Sequence, residues 1–388
     1  MPLERPDQEY APSPDLAQRL AHRYISYLLT RKASLSAPNP HAIKRIKRWT
    51  IVWAAVAGII SGTLIGGGEW WMKRIAIDGW SEMSFGEQIP YWIAYYAVVG
   101  VITAIEIGFL YWNSLRGVTH ITRLAGLAYS QQNAFTPSLQ LTVHGVARAA
   151  LEYPSSGNTI YGINPHAYLN GWKLTLKALL YRLKISLSSF ILRVVMRRVL
   201  GRLALRGFIP ILMGPLYAIW NAWIAWRVLH QAHLMAYGPP RIDALMHELN
   251  ALSCAQRQLI VQGIGELMMR NRHPHPNLVL LLSQLLASLP EQPQSVDIDW
   301  QQALGDYAQL DTHERSVVLE SLTQAAMLSG PYRGARKAFL REVYARCQTP
   351  LHEQSVIAQQ QRWLSGEEVS VSLTPASNAG SKSHPAPS

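Results

Sequence analysis

The fold class that the sequence predicts is an all-α integral membrane protein. It consists of an N-terminal transmembrane helical hairpin, a basic amphipathic and membrane-embedded helical segment, and a C-terminal α-helical domain with a two-fold repeat. Three observations lead there. Of the 388 residues 49% are hydrophobic and only 15% charged, against about 25% charged in ordinary soluble chains. Thirteen tryptophans and seventeen tyrosines stand against six phenylalanines, the amphipathic excess that a membrane–water interface selects. The C-terminal third carries a helical pattern that matches itself at an offset of 58 residues.

Residues 1–48 read as a cytosolic N-terminal segment. The opening MPLERPDQEY is acidic and proline-bearing, and the first apolar run starts only near residue 49, so these residues are not expected to act as a signal peptide. A short amphipathic helix over Leu16–Thr30 and a Ser/Pro/Asn linker lead to the cations Lys44, Arg45, Lys47 and Arg48. Trp49–Gly68 then holds 20 residues without a charge, the length a helix needs to cross the hydrocarbon core. Spans of about 49–70 and 91–112 form the hairpin within residues 49–114. The segment between them, Glu69–Pro90, has two cations and four acids, whereas Arg116 and Arg123 follow the second span. The positive-inside rule puts both outer flanks in the cytoplasm.

Small residues recur every fourth position in each span: Gly58, Gly62 and Gly66 in the first, Gly100, Ala104 and Gly108 in the second. That spacing lines one helix face and lets two backbones approach closely, so tight pairing or homo-oligomerisation is expected. Glu106 is the one charged residue inside the second span. A charged group at mid-helix costs about 2.5–3.5 kcal/mol on insertion scales and is a functional candidate by default.

Residues 115–166 form a connecting region. Residues 167–242 form the basic region, and from Tyr153 to Ile242 eleven Lys and Arg occur without one Asp or Glu. Leu179, Leu183, Leu187, Ile191, Val194 and Val195 alternate with cations at helical spacing. Such a helix lies in the headgroup plane, where each cation near anionic lipid contributes on the order of 1 kcal/mol. The expected lipid contacts are Lys173, Lys177, Arg182, Lys184, Arg193, Arg197, Arg198, Arg202 and Arg206. The adjoining uncharged runs favour a bilayer with anionic phospholipids over nucleic acid as the partner. Gly207–Trp226 is another uncharged 20-residue run, but it contains Pro210, Gly214, Pro215 and Asn221. It suits a broken or re-entrant helix buried in protein better than a simple span.

From residue 243 to 364 the chain becomes charged and helical. Leu252–Met269 lies over Leu310–Met327, with Leu252 on Leu310, Arg257 on Arg315, Ile260 on Val318 and Ile264 on Leu322. Ser253 with Gln256, and Asp311 with Glu314, are capping-box pairs at the two helix starts. Leu281, Leu282 and Leu285 lie over Phe339, Leu340 and Val343. The Ser/Ala/Pro-rich stretch 365–388 is expected to be disordered.

Two resemblances add to this reading. The segment RGFIPILMGPLYAIWNAWIAWRVLHQAHLMAYG resembles the closing motif of EcsC-type bacterial membrane-associated proteins, over residues of about 168–240. The matching positions are Pro210, Gly214, Asn221, Ala232 and Tyr237. The second half-repeat is similar to TerB-like helical domains, although Ser329, Gly330 and Pro331 stand where that pattern has an acidic DG turn, so ion binding is not carried over. The resemblances imply a bacterial envelope-associated protein. Together with the apolar runs and the charge bias, the expectation is an inner-membrane, multi-pass protein with its N-terminus and its C-terminal domain in the cytoplasm, in a scaffold, regulatory or envelope-stress role.

No reaction chemistry emerges from the motifs. His273 and His275 flank one proline and cannot share a helix face, and His230 and His233 lack the third ligand that a zinc site needs. Gly66–Gly68 lacks the strand, helix and lysine of a phosphate loop. Cys254 and Cys347 have no CxxC spacing, so reduced thiols are expected. The expectation is therefore a non-enzymatic protein without metal or cofactor, in which a helical domain anchored to anionic membrane meets an unidentified protein partner. An alternative stays open: an oligomeric channel or transporter subunit using Glu106 and the broken helix around Pro210–Asn221.

Overall fold

A computed structural model describes residues 40–75, 83–124, 160–164, 209–271, 275–291, 293 and 295–365. Every regular element among them is a helix; the one β-bridge, Ile160 to Ile163, belongs to no strand. The described chain divides into two compact units. One comprises α1 (Pro40–Ile75), α2 (Phe85–Leu124) and the part of α3 (Ile209–Leu249) up to Ala236; the other comprises residues 160–164 and everything from Tyr237 onward.

In the first unit α1 has 36 residues and α2 has 40. Both are long and apolar enough to cross a membrane. They extend beyond the uncharged runs into the basic flanks, KRIKR at the start of α1 and Arg116–Arg123 at the end of α2. Pro90, expected in the loop, lies inside α2. Asn113 Nδ2 donates to Thr50 O at 2.9 Å, and Tyr95 OH donates to Ile65 O at 3.1 Å, so α1 and α2 run antiparallel. α3 runs antiparallel to α1: Lys47 is hydrogen-bonded to His233, Gly58 abuts Tyr217, and Gly214 abuts Thr63. Ile65, Val99 and Tyr217, one from each helix, form a buried cluster.

The expected break around Pro210–Asn221 is absent, and α3 is one continuous helix of 41 residues through Pro215, Pro239 and Pro240. Pro210 falls in the first turn, where backbone N–H groups have no intrahelical acceptor. Pro215 removes one internal bond, and inside a bundle the neighbouring helices compensate for that loss.

The second unit packs the end of α3 with α4 (Cys254–Asn271), α5 (Pro276–Ser288), α6 (Trp300–Gln309), α7 (Thr312–Leu328), α8 (Ala335–Arg346) and α9 (Glu353–Leu364). Its core holds Leu245 and Leu249 of α3, Ile264 of α4, Leu281 and Leu285 of α5, Tyr307 of α6, Leu322 of α7 and Phe339 of α8, all fully buried. The capping pairs form as the side chains allow: Gln256 N donates to Ser253 Oγ at 3.3 Å, and Glu314 N to Asp311 Oδ1 at 2.8 Å. His275 starts α5, its Nδ1 accepting from Asn277 N at 3.2 Å. Arg270 lies between Glu266, at 2.5 Å, and Glu342, at 2.6 Å, with its guanidinium over the rings of Trp300 and Phe339. Burial alone would lower the Arg270 pKa, but the bonds to Glu342 and Glu266 hold it above its usual value. Glu342, bonded to Arg270, is correspondingly lowered.

Candidate functional site

Glu106 and Asn221 define the most distinctive polar site of the first unit. Glu106 lies on α2 and Asn221 on α3, 115 positions apart in sequence. Asn221 Nδ2 donates to Glu106 Oε1 at 2.8 Å. Glu106 is 9% exposed and Asn221 6%. Sequence alone singled out both residues; their pairing comes from the parallel run of α2 and α3, which puts them at one level. An amide donor aimed at a carboxyl oxygen stabilises a group that would otherwise be costly among apolar helices.

Beside this pair, α1 and α2 leave a groove of about 320 Å³. Its walls are apolar, from Trp53, Ile60, Ile105 and Phe109 among others, and Glu106 contributes its main polar group. Ser61 also lines it, with its hydroxyl donated to Gly58 O at 3.3 Å.

The small-residue positions divide. On α1, Gly58, Gly62 and Gly66 are buried. A Cβ at Gly58 would lie 2.5 Å from the backbone carbonyl of Tyr217, so the first face is used against α3 within the chain. On α2, Gly100, Ala104 and Gly108 are exposed, and a Cβ at either glycine would meet nothing within 4 Å. Of the resemblance positions, Gly214, Asn221, Ala232 and Tyr237 are all buried. The side chain of Pro210 and the nine cations from Lys173 to Arg206 lie outside the described residues, as do the 366–388 tail and His273.

Sequence reasoning missed two polar contacts here, Lys47 with His233 and Asn113 with the Thr50 carbonyl. Lys47 looked like one more solvated cation in KRIKR. Only the antiparallel register, which aligns residue 47 with residue 233, reveals its partner. At the same end of the bundle, aromatic and basic groups associate: Arg116 sits over Trp112 at 5.5 Å, Arg227 over Trp223 at 5.8 Å, and His230 stacks on Trp226 at 5.6 Å.

In the second unit His275 is 7% exposed, and burial, with the Arg336 charge nearby, lowers its pKa to about 3. Arg336 is itself lowered to about 10 by burial and by Arg333; it donates to Ser329 Oγ and to the Ser329 carbonyl. Both free cysteines stand apart, Cys347 buried and Cys254 partly so. Among the described residues no three His, Cys, Asp or Glu side chains gather as a metal-ligand set.

Fold and site together define an all-helical protein with two helices fit to cross a membrane and a compact helical unit. Compared with protein-family models, curated proteins and solved structures, the chain matches none.

Proposed function

We propose that this is a non-enzymatic bacterial inner-membrane protein that anchors a cytosolic helical interaction domain to an anionic bilayer. The observation that carries the reading is the outward face of α1 and α2. In the most apolar 18-residue windows only 33% of α1 and 6% of α2 are buried, and Ile105, Ile93 and Val101 are 68%, 64% and 61% exposed. A core helix of a soluble protein would be covered. An apolar face of this size facing water would be a strong aggregation liability, whereas hydrocarbon is its natural solvent. The aromatic–cation pairs at one end of the bundle match the girdle of an interface.

In this reading α3 is a third membrane helix. Its contacts with α1 run from Gly214 beside Thr63 to His233 beside Lys47, most of the length of the first span. With the KRIKR end cytoplasmic, α3 emerges on the cytoplasmic side and delivers the helical unit there. The basic window 167–206 would add headgroup contacts. The two-fold repeat is part of the same proposal and is best read as three helices per half. Ile242, Leu245 and Leu249 lie 58 positions before Trp300, Ala303 and Tyr307, and all six are buried. Gln256 and Glu314, equivalent cap residues, meet at 3.1 Å. The EcsC-like and TerB-like resemblances point to the same compartment and to an interaction role.

Two reporters test the arrangement in living cells: a fluorescent protein fused after Ser388, and Ser84→Cys probed with a membrane-impermeant thiol reagent. Fluorescence from the fusion together with external labelling of position 84 supports the proposal. A secreted, non-fluorescent C-terminus would place the helical unit outside and overturn it.

A further inference from the structure

We propose that the groove between α1 and α2 is a binding site for a lipophilic organic cation that arrives through the bilayer. This goes beyond the anchoring role but rests on the same membrane placement. The charge of the site sets the sign of the ligand. Glu106 spends one carboxyl oxygen on Asn221, and Oε2 has no hydrogen-bond partner among the described residues. The residue is about nine-tenths buried, yet it lines the groove. The Ser61 hydroxyl is already committed to Gly58 O. A carboxylate in hydrocarbon is tolerated only when a proton or a cation neutralises it.

The walls set the rest of the ligand's character. Trp53 and Phe109 offer aromatic faces, which attract an organic cation through the ring quadrupole. Ile60 and Ile105 demand an apolar body. A strongly hydrated metal ion or a primary ammonium would leave most of its hydration unreplaced here, because the groove offers one carboxyl oxygen and hydrocarbon. A delocalised or shielded cation has little hydration to lose. The volume of about 320 Å³ lies at the lower end of the range for small-molecule sites, about 300–1,000 Å³. Since the groove lies between the two helices proposed to face lipid, the ligand would partition into the bilayer first and enter sideways.

The test uses the full chain in zwitterionic phosphatidylcholine nanodiscs, with radiolabelled tetraphenylphosphonium in equilibrium dialysis and empty nanodiscs as background. Tetraphenylborate, of the same shape and opposite charge, is the control. The expected result is saturable binding of tetraphenylphosphonium at one site per chain and none of tetraphenylborate. Glu106→Gln keeps an oxygen for Asn221 to donate to, and so keeps the fold, but should weaken binding about tenfold or more, the loss of roughly 1.4 kcal/mol or more. Ile60→Trp, which fills the groove and leaves the carboxyl intact, should abolish binding too. Equal affinity in Glu106→Gln overturns the proposal, as does binding of both ions alike. Absence of saturable binding in a chain with the correct reporter topology would mean that lipid, a second copy or another segment of the chain occupies the groove. That outcome defeats this proposal and leaves the anchoring role standing.

Discussion

Arg257 and Arg315, 58 residues apart, each close the C-terminus of a later helix. Arg257 Nη1 donates to Ser288 O at the end of α5 at 2.6 Å, and Arg315 Nη1 donates to Cys347 O just past α8 at 3.3 Å. Helix ends leave carbonyls without an internal donor and carry the negative end of the helix dipole, so a guanidinium there satisfies both. Arg315 also donates to Leu310 O at 2.7 Å and Ala308 O at 3.3 Å, tying the end of α6 into the same knot.

Replacing either arginine with methionine should therefore unlatch a specific helix end. Hydrogen bonds from charged donors contribute about 1.5–3 kcal/mol. Arg257→Met should raise amide exchange in the last turn of α5, and Arg315→Met in the last turns of both α6 and α8, with the larger loss of stability. Hydrogen exchange with mass spectrometry on the full chain reads this directly. Equal exchange in both variants and the parent would remove the latching role.

Gly58 and Gly108 should respond oppositely to the same added methyl group. At Gly58 the new Cβ would sit 2.5 Å from the Tyr217 backbone, which cannot step aside as a side chain could; at Gly108 it meets nothing. Overpacking of this kind costs about 1–3 kcal/mol. Gly58→Ala should lower the melting temperature in detergent, while Gly108→Ala leaves it unchanged or slightly raised by helix propensity. A drop of similar size at both positions would point to a second helix on the Gly108 face.

These contrasts show what the sequence could and could not carry. The two long apolar helices were legible because charge is absent over a stretch as long as a bilayer is thick, and that signal is local. The four-residue spacing around Gly58 revealed a close-packing face, but the partner turned out to be Tyr217, more than a hundred positions away, because periodicity does not encode which helix fills the face. Prolines at 210 and 215 suggested a broken helix, since each lacks an N–H. One falls in the first turn, and the bundle absorbs the other. In the second unit the helices opening at Cys254 and Thr312 were visible through their caps. The preceding helices were not, because Ile242 and Leu249 align with the far larger Trp300 and Tyr307, so burial is shared while size is not.

The Glu106–Asn221 contact predicts a marked non-additivity. Asn221→Leu leaves a buried carboxyl without its donor, a loss of about 1–3 kcal/mol. Glu106→Leu likewise orphans the amide. The double variant, Glu106→Leu with Asn221→Leu, removes both polar groups and should recover most of the stability. Thermal unfolding in one detergent across the four proteins measures the coupling. Simple addition of the two losses would show that the residues do not act as a pair.

His275 supplies a pH dependence whose sign can be worked out. Its pKa in the folded chain is about 3, while the unfolded chain has the ordinary value of about 6.5. Below pH 6.5 the unfolded state binds a proton that the folded state refuses. The contribution of this site to stability is thus complete above pH 6.5 and is lost progressively as pH falls toward 3. At pH 5 the deficit is about 2 kcal/mol, from 1.36 kcal/mol per pKa unit. His275→Asn keeps a side-chain acceptor at the start of α5 but does not titrate. Its melting temperature should therefore fall less than that of the parent between pH 7 and pH 5. Parallel losses in the two proteins would assign the acid sensitivity elsewhere.

The direction of α3 has a consequence for sidedness. α2 runs toward the end of the bundle where α1 begins, and α3 runs the same way as α2. Leu124, at the end of α2, and Ile209, at the start of α3, therefore lie at opposite ends of the bundle. In the proposed membrane placement these two residues lie on opposite sides of the bilayer, while Pro40, which opens α1, and the far end of α3 share one side. In that placement α1 sets direction as well as packing: deleting α1 alone would reverse the sense in which α2 and α3 run and carry everything after Leu249 to the opposite compartment.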